Sequence, residues 1–423
     1  MVSSGTDVLI VGGGAAGLMA ARELAANGRQ VTVVEARQRC GGRIHALPAA
    51  EFGYPAEAGA EFVHGAAPVT RAVMRQAGLS LRRRGGVRWD ARTGSSDDAV
   101  LPHESRFYEV LGALTVDLPI AEFLEKEFGA PQYAELRRRI TRTVEGYDAA
   151  DPNRASTLAL RAEWMARDDG EHGRIGEGYG ALIDFLASDC RRRGVSLHLG
   201  VPIDAVEEGD AGVLARSRDG GVFTAAAAII AIPLPLLSEI ALPPAARARV
   251  AEGDIGFGNV IKLLLRFKTK WWADIAGGTL ADLSFVVSDA AVPTWWTQHP
   301  EPYPVLTGWL AGPRADRHAG LSESALVGLG LASLAEIFAL PVDRLAAELA
   351  AARAVDWGSD PFARGAYSYA TPATRAAQAA LKRADGSAIH FSGEALYDGP
   401  DMGTVEAALA SGQDTARTIL AGG

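Results

Sequence analysis

Three glycines and a glutamate near the N-terminus have the types and the spacing of a dinucleotide-binding turn. Gly12, Gly14 and Gly17 follow a short apolar run, and Glu35 ends a second one. In such a turn the first glycine permits the tight bend, and the second lets backbone N–H groups approach a pyrophosphate. The third lets the next helix pack on the strand, and the acid accepts hydrogen bonds from ribose hydroxyls. These residues predict binding of an adenine dinucleotide.

The elements around these residues strengthen that prediction. A strand at residues 8–11, a helix from about Ala15 to Asn27 and a strand at residues 30–34 come in the order of a βαβ unit. The N-terminus of the helix would face the phosphates with its positive dipole end. A glycine-rich turn beside a solvated glutamate is the alternative, and it does not account for this order.

A second glycine–arginine element follows at once and favours a flavin over a nicotinamide. Residues 35–43 read E-A-R-Q-R-C-G-G-R, which is similar to the element that completes the pyrophosphate site in flavoproteins of the glutathione-reductase-like type. Gly41 and Gly42 would bring backbone against the phosphates, and Arg43 would add charge-assisted hydrogen bonds. A nicotinamide-dependent dehydrogenase needs no second cradle, so we expect FAD.

A lysine in an apolar run is the next candidate for chemistry. Lys262 lies in the sequence V-I-K-L-L-L, residues 260–265, which is typical of a strand that is buried on both faces. A buried ammonium needs a partner, because an unpaired charge in an apolar setting is costly. An exposed lysine on an alternating strand is the alternative.

The pattern of the whole chain predicts an α/β fold whose parts position these residues. We expect a discontinuous FAD-binding, glutathione-reductase-like Rossmann domain made of residues 1–72, 175–255 and 385–423. Residues 73–174 read largely as helices and predict an inserted helical subdomain. Residues 256–384, with β-type runs followed by a helix-rich stretch at 322–352, predict a β-sheet substrate domain of α+β type.

Composition narrows the class of protein. The chain has 423 residues, a net charge of −9 and a sequence pI near 5.5, which disfavour nucleic-acid partners. Cys40 and Cys190 are its two cysteines, so no disulfide framework is indicated and a reducing compartment is the default. The fingerprint begins a few residues after Met1, and no long apolar stretch follows. We therefore expect a cytoplasmic protein without a membrane segment or a metal; its oligomeric state is open, a homodimer included.

Five stretches in this order resemble the flavin-containing amine oxidases, the family of monoamine and polyamine oxidases. They are the fingerprint and residues 57–65 (E-A-G-A-E-F-V-H-G), 258–267, 357–369 and 391–413. The resemblance spans nearly the whole chain. It implies an FAD-dependent oxidation of an amine to an imine, which hydrolyses to an aldehyde or ketone, with O₂ as acceptor and release of H₂O₂.

The resemblance also implies roles for single residues. The lysine matching Lys262 holds a water against flavin N5, and Trp357 lies along the flavin. Tyr367 matches one wall of an aromatic cage around the substrate amine. The second wall falls at Pro400, so that Tyr397 is a substitute or the cage is one-sided. Where monoamine oxidases carry a cysteine bound to the flavin, this chain has Ala366, so FAD should be bound non-covalently.

The remaining expectations concern the cofactor, the substrate and the tryptophans. Glu61 and His64 match positions that can attract or orient a cationic amine; a strand-end pair that binds loop backbone is the alternative. Five clustered tryptophans between residues 271 and 309 would line a tunnel or pack the sheet. The full set expected to bind the cofactor is Gly12, Gly14, Ala15, Ala16, Gly17, Glu35, Ala36, Arg37, Gly42, Arg43, Gly59, Ala60, Glu61, Ile203, Trp357, Gly393, Glu394, Gly403, Thr404 and Val405.

Three other functions remain open on the sequence. An L-amino-acid oxidase shares the scaffold, but that family usually places a carboxylate-binding arginine after the glycine that Gly59 matches. This chain has Ala60-Glu61-Phe62 there, and an acidic residue would repel a carboxylate. Carotenoid desaturases and protoporphyrinogen oxidases, which act in biosynthetic pathways, share the N-terminal FAD elements. Their apolar substrates give no reason for Lys262 with Trp357 and Tyr367. A non-catalytic flavin-binding protein is the third alternative.

Overall fold

The structure is a computed structural model that describes residues 6–94, 101–166, 172–383 and 386–422, apart from the side chains at 276 and 277. The domain limits predicted at residues 1, 385 and 423 lie outside these ranges. The strands are β1 (Thr6–Val11), β2 (Val31–Glu35), β3 (Phe62–Val63), β4 (Leu81–Arg83), β5 (Val87–Asp90), β6 (Gly173–Ile175), β7 (Ser196–Leu199), β8 (Ile203–Gly209), β9 (Gly212–Ser217), β10 (Val222–Ile230), β11 (Gly256–Gly258), β12 (Val260–Phe267), β13 (Leu283–Val287), β14 (Thr294–Trp296), β15 (Val305–Ala311), β16 (Leu349–Asp356), β17 (Tyr367–Tyr369) and β18 (Ile389–Phe391).

The helices have widely different lengths. They are α1 (Ala15–Ala26), α2 (Ala49–Phe52), α3 (Pro68–Ala77), α4 (Glu104–Gly112), α5 (Ile120–Phe128), α6 (Ala134–Gly146), α7 (Thr157–Trp164), α8 (Gly178–Arg192), α9 (Pro244–Ala251), α10 (Pro313–Asp316), α11 (Glu323–Phe338), α12 (Val342–Glu348), α13 (Thr374–Lys382) and α14 (Val405–Gly422). No single helix of the described residues is long and apolar enough to span a bilayer, although α11 and α12, bent by 119°, pass by length and composition as a pair.

The first sheet is built around the βαβ unit that the sequence predicts. Its order is β7-β2-β1-β10-β9-β8, and β18 pairs with the end of β10. The strands β7, β2, β1, β10 and β18 run parallel, whereas β9 forms antiparallel hairpins with its neighbours. β1 is buried on both faces because α1, α8 and α14 cover one side and a second apolar cluster covers the other.

Close backbone contact joins the first and the last helices of this unit. A Cβ added at Gly17 would lie 2.0 Å from the carbonyl oxygen of Gly12, and one at Gly412 would lie 2.2 Å from that of Ala16. Both positions therefore require glycine, so that α1 can pack on the turn after β1 and α14 can pack on α1. The C-terminal helix is thereby fixed against the predicted dinucleotide turn.

The second sheet has the order β16-β12-β15-β14-β13-β5. β12 is its apolar centre, pairing antiparallel with β15 and β16, and α11 packs on one face together with Trp271, Trp272 and Trp295. Its edge strand β5 comes from the stretch that reads largely as helices and pairs parallel with β13. The helices α4 to α7 form a separate apolar cluster beside this sheet.

The structure corrects two readings of secondary structure. The helix-rich stretch expected to reach residue 352 ends at Glu348, and residues 349–356 form β16. This segment is rich in alanine, which favours helix, but pairing with β12 along its length outweighs the local preference. The strand β8 was missed, because its acidic residues break the apolar pattern at the edge of the first sheet.

Candidate active site

The turn after β1 forms the floor of a groove. Gly12 has φ +112°, and a Cβ there would lie 2.6 Å from the carbonyl oxygen of Ala231. A Cβ at Gly14 would meet nothing within 4 Å, and no side chain caps the helix that starts at Ala15. The first N–H groups of α1, at Ala15 and Ala16, therefore face open space suited to an anionic ligand.

Glu35 is held in place at the edge of this groove. Its carboxylate is buried, with Oε2 accepting from Gly13 N at 2.7 Å and Oε1 accepting from Arg37 N at 2.8 Å. The predicted ribose acceptor is thus fixed by backbone donors before any ligand is considered. Both oxygens keep acceptor capacity for a hydroxyl, since a carboxylate has about four lone-pair sites.

The second glycine–arginine element contacts the glycine turn that follows β1. Gly41 N donates to Gly13 O at 2.8 Å. Arg43 Nη1 donates to Ala366 O at 2.8 Å and to Glu394 Oε1 at 2.7 Å. Glu394 also accepts from the Ser368 hydroxyl. Arg43 and Glu394, which lie 351 residues apart, are therefore one ion pair in the groove wall.

One cavity of about 1800 Å³ brings the predicted residues together. Gly17 does not line it, because this residue packs under the turn. Every other predicted site residue does: Gly12, Gly14, Ala15, Ala16, Glu35, Ala36, Arg37, Gly42, Arg43, Gly59, Ala60, Glu61, His64, Ile203, Lys262, Trp357, Tyr367, Gly393, Glu394, Pro400, Gly403, Thr404 and Val405.

Lys262 has the partner that its burial requires. Its side chain is 1% exposed, and Nζ donates to Glu61 Oε2 at 2.8 Å and to Gly59 O at 2.9 Å. Nζ also lies 5.5 Å from the ring centroid of Trp296. The strand around it is buried on both faces, as the sequence predicts. A water between Lys262 and a flavin stays a prediction.

The structure corrects the role predicted for Glu61. Besides Lys262, its carboxylate accepts from Arg174 Nε at 2.8 Å, Trp296 Nε1 at 3.0 Å and Gln298 Nε2 at 3.1 Å. Burial raises the pKa of this carboxyl, but Lys262 and Arg174 together outweigh burial and lower the pKa to about 2. Glu61 is thus an ionised counter-ion with its acceptor sites in use, so it does not offer a spare carboxylate to an amine.

The charge around Glu61 also bears on whether the site could accept an amino acid. Glu61 was expected to repel carboxylates, but two cations, Lys262 and Arg174, accompany its single negative charge. The local charge of this group is therefore positive. An amino-acid substrate is not excluded by the charge at this position.

Aromatic rings form one wall of the cavity. Tyr367 stacks on Trp309 with centroids 6.4 Å apart and planes at 19°, and Trp309 lies 5.7 Å from Trp296. The Tyr367 hydroxyl donates to Tyr147 O at 2.7 Å. Of the five clustered tryptophans, these two line the cavity, whereas the other three lie in the core of the second sheet. The tryptophan cluster therefore both lines the cavity and packs the sheet.

For the second wall of the aromatic cage, the structure leaves both candidates in place. Pro400 and Tyr397 both line the same cavity as Tyr367.

Thr404 caps α14, since its hydroxyl accepts from Ala407 N at 3.1 Å, and the first turn of this helix lines the cavity at Val405. The Nδ1 atom of His64 lies 3.4 Å from the hydroxyl oxygen of Tyr147.

Sequence reasoning missed a pair of carboxyl groups in this cavity. Asp148, after α6, and Glu163, in α7, both line it beside Tyr367. Burial and the neighbouring Glu163 raise the pKa of Asp148 well above its usual range; burial and Asp401 raise that of Glu163 to about 7. Asp148 Oδ2 is buried without a hydrogen-bond partner among the described residues. Glu163 lies within a helix and Asp148 in the loop after one, and no sequence motif marks either residue.

Comparison with known proteins agrees with this geometry. A sequence model described as flavin containing amine oxidoreductase matches residues 15–420. The chain is 28% identical to polyamine oxidase 2 of Arabidopsis thaliana, over 87% of this chain and 79% of that protein. It is 26% identical to human lysine-specific histone demethylase 2, over 86% of this chain and 47% of that protein.

Solved structures show the same fold at lower sequence identity. Putrescine oxidase bound to putrescine superposes with a TM-score of 0.81 at 22% identity and covers 100% of both chains. Cyclohexylamine oxidase from Brevibacterium oxydans gives a TM-score of 0.80 at 22% identity and covers 99% of both. The predicted fold class is confirmed by these likenesses.

Proposed function

Because the chain belongs to the family of flavin-containing amine oxidoreductases, we propose that it oxidises a small-molecule amine to an imine at a non-covalently bound FAD. That it is a flavin-dependent oxidoreductase acting on amines follows from the family and its polyamine oxidase relatives. The acceptor O₂, the release of H₂O₂ and the hydrolysis of the imine to an aldehyde or ketone are parts of the proposal. The observation that carries it is the single cavity that joins the dinucleotide groove to Lys262 and the aromatic wall.

The groove fits FAD by two features. The space beyond Gly14 is open where a pyrophosphate would approach, and Glu35, with both oxygens held by backbone N–H groups, would accept the ribose hydroxyls. The chemistry that FAD would supply when bound is acceptance of a hydride equivalent from the carbon next to the amine nitrogen and transfer of the electrons to O₂. Arg43 and the first turn of α14 would supply positive charge and N–H dipoles along the groove.

The residues of this chain would orient the amine and control its charge. The faces of Tyr367 and Trp309 offer an apolar, electron-rich wall against which an amine or its cation packs favourably. Lys262 supplies a fixed positive charge that stabilises negative charge developing nearby, and its hydrogen bond to Glu61 holds the ammonium group in place. A substrate packed against this half-buried wall would displace water from the reacting carbon.

The Asp148–Glu163 pair favours a substrate that arrives as an ammonium ion. A cation beside these acids would lower the cost of ionising them, and the pKa of Glu163 of about 7 lets it take a proton near neutral pH. We expect Glu163→Gln to raise KM for a cationic amine by about tenfold and to lower kcat less, since one lost charge contact costs roughly 1.4 kcal/mol. The exposed Glu122→Gln in α5 is the control; equal KM values in all three proteins would contradict this role.

The test of the proposed function is an anaerobic screen of the FAD-loaded protein. Monoamines, polyamines and amino acids are mixed with it under nitrogen, and loss of the oxidised flavin absorbance is followed. Bleaching by an amine, followed by recovery and H₂O₂ release on admission of air, is the expected result. Bleaching by ordinary L-amino acids faster than by any amine would favour the amino-acid oxidase alternative. Bleaching by none of them would favour a desaturase-like or non-catalytic flavoprotein.

A further inference from the structure

A segment of the second sheet crosses to the cofactor groove. Residues 357–366, called the strap here, connect β16 to β17 and line the cavity at Trp357, Phe362 and Ala366. Within the strap, Gly365 N donates to Trp357 O at 2.9 Å, so the segment forms a closed loop. The strap is thus a compact unit that projects from the substrate sheet towards the groove.

The strap is joined to the second glycine–arginine element, residues 35–43, by an ion pair. Arg37 donates from Nη1 and Nη2 to the two carboxylate oxygens of Asp360, at 3.1 and 2.7 Å. The side chains are 14% and 22% exposed, so solvent screens the pair only partly. The Arg37 guanidinium also lies 5.3 Å from the ring centroid of Phe362. Bidentate geometry and stacking together fix the guanidinium in one orientation.

Asp360 is prepared for this contact by its own loop. Its Oδ1 accepts from Phe362 N at 2.8 Å, and its carbonyl oxygen accepts from Ala363 N and Arg364 N. The carboxylate therefore points where it does because the turn of the strap holds it. The side chain needs little reordering to meet Arg37.

The cofactor side of this contact carries an excess of positive charge. Burial and the nearby Arg37 lower the pKa of Arg39, and the carboxylates of Glu35 and Asp360 oppose this effect. Burial, Arg39 and Arg37 also lower the pKa of His45 to about 4, again against the attraction of Asp360. Without Asp360 the two guanidinium groups would repel each other with less compensation. The strap thus supplies the negative charge that this corner lacks.

The same corner is where the adenosine half of the cofactor should lie. Arg37 N donates to the Glu35 carboxylate, and Glu35, Ala36 and Arg37 line the groove together with Pro361 and Phe362 of the strap. At its far end the strap is held by Arg43, which donates to Ala366 O. Two arginines of one element therefore hold the strap at two points, Asp360 and Ala366.

We propose that Asp360 is a positioning residue that acts as a latch, in which its pair with Arg37 holds the strap over the adenosine end of the groove and slows release of FAD. The inference rests on the proposed function only in that FAD is the ligand of the groove. It concerns retention of the cofactor and assigns Asp360 no part in the oxidation of the amine.

The experiment measures the rate at which FAD leaves the loaded protein. After dilution, released FAD is followed by the rise of its fluorescence for wild type, Asp360→Asn and Asp360→Glu. We expect Asp360→Asn, which keeps the shape and removes the charge, to release FAD at least about tenfold faster, whereas Asp360→Glu stays within about threefold. The matched control is Glu252→Gln, which breaks the exposed pair with Arg383 far from the groove and should leave the rate unchanged.

Salt supplies a second readout that simple loss of packing would not produce. Raising the ionic strength should speed release from wild type more than from Asp360→Asn, because the variant no longer has the pair to screen. If Asp360→Asn is poorly folded, the salt dependence of wild type and of Arg37→Gln answers the same question. FAD release from Asp360→Asn within twofold of wild type, with equal salt dependence, would overturn the latch alone. A wild-type chain that takes up no FAD would overturn the proposed function as well.

Discussion

At the scale of residues, Lys262 and Glu61 form a buried pair whose members have different tasks. Lys262 lines the cavity from the centre of β12, whereas Glu61 connects it to Arg174, Trp296 and Gln298. A buried charge with one missing partner is costly, so each member permits the other to remain ionised. Variants of the two residues should therefore differ in what they disturb.

Substituting Lys262 by Met should disturb the chemistry more than the fold. Met keeps most of the bulk, and Glu61 retains Arg174 as a cation. Loss of one well-placed electrostatic group commonly costs roughly 2–4 kcal/mol of barrier, or about a hundredfold in rate. Stopped-flow spectroscopy measures reduction by amine and reoxidation by O₂ separately. The exposed Lys268→Met is the control; if both rates of Lys262→Met stayed within about threefold of wild type, the role of Lys262 would be wrong.

Substituting Glu61 by Gln should instead lower stability in a pH-dependent way. The folded-state pKa of Glu61, about 2, lies below the ordinary value of 4.5, so its stabilisation is present above pH 4.5 and is lost as the pH falls towards 2. We expect the variant to have a Tm several degrees below that of wild type at pH 7, because removing one partner of a buried pair costs about 3 kcal/mol.

The pH dependence distinguishes the loss of the Glu61 charge from a loss of packing that does not depend on charge. The difference in Tm between wild type and Glu61→Gln should shrink as the pH is lowered from 5 to 3. In this range Glu61 of the unfolded wild-type chain takes up a proton, whereas Glu61 of the folded chain stays ionised until about pH 2. Differential scanning at pH 7, 5, 4 and 3 measures it, with Glu252→Gln as an exposed control. A difference that stays constant over this range would rule out a charge effect.

The residues that sequence reasoning found and missed differ in a physical way. Gly12, Gly14 and Glu35 are recognisable because backbone geometry at a phosphate site restricts residue type at short spacing. Arg174 and Asp360 have no such constraint, because their meaning comes from partners 113 and 323 residues away. The function of Glu61 was misjudged for the same reason, since its partners lie on three other strands or loops.

At the scale of elements, the first βαβ unit was predictable nearly to the residue. Helix α1 ends at Ala26, one residue before the expected end, because Asn27 and Gly28 have the local chemistry of a helix terminus. The strand β16 was not predictable, because its alanines prefer helix and its pairing with β12 is a tertiary effect. Short strands such as β5 depend on their neighbours in the same way.

Two glycines in helices test how closely the elements pack. Gly412 of α14 faces α1, and a Cβ there would lie 2.2 Å from Ala16 O; at Gly328 of α11 a Cβ would meet nothing within 4 Å. Gly412→Ala should therefore destabilise the protein by about 2 kcal/mol or more and weaken FAD binding, because overpacking displaces α1. Gly328→Ala should stabilise it by up to about 1 kcal/mol.

Urea unfolding and FAD titration of both glycine variants decide the matter. The matched pair controls for the helix propensity of alanine, which is equal in both helices. If Gly412→Ala were as stable as Gly328→Ala and bound FAD as wild type does, α1 and α14 would not pack as closely at Gly412 as the structure shows.

At the scale of the whole molecule, the groove is assembled from distant parts of the chain. Its walls come from the first 43 residues, from the strap after β16 and from the segment that leads into α14. The sequence predicts these pieces singly. Their meeting depends on contacts between the second sheet and the rest of the chain, such as the pairs Arg37–Asp360 and Lys262–Glu61. A ligand that touches all of them should therefore stabilise the fold as a unit.

Free FAD should accordingly raise the stability of the apoprotein and should be removable without breaking a bond. A ligand present at about 100 times its Kd contributes about 2.7 kcal/mol to folding stability, which should appear as a clear rise in Tm. Since position 366 is alanine, no thiol is present there to bond to the flavin. Acid precipitation of the loaded protein should leave a colourless pellet and a yellow supernatant. Flavin that stays in the washed pellet would disprove non-covalent binding, and a Tm unchanged by saturating FAD would disprove that the groove assembles around it.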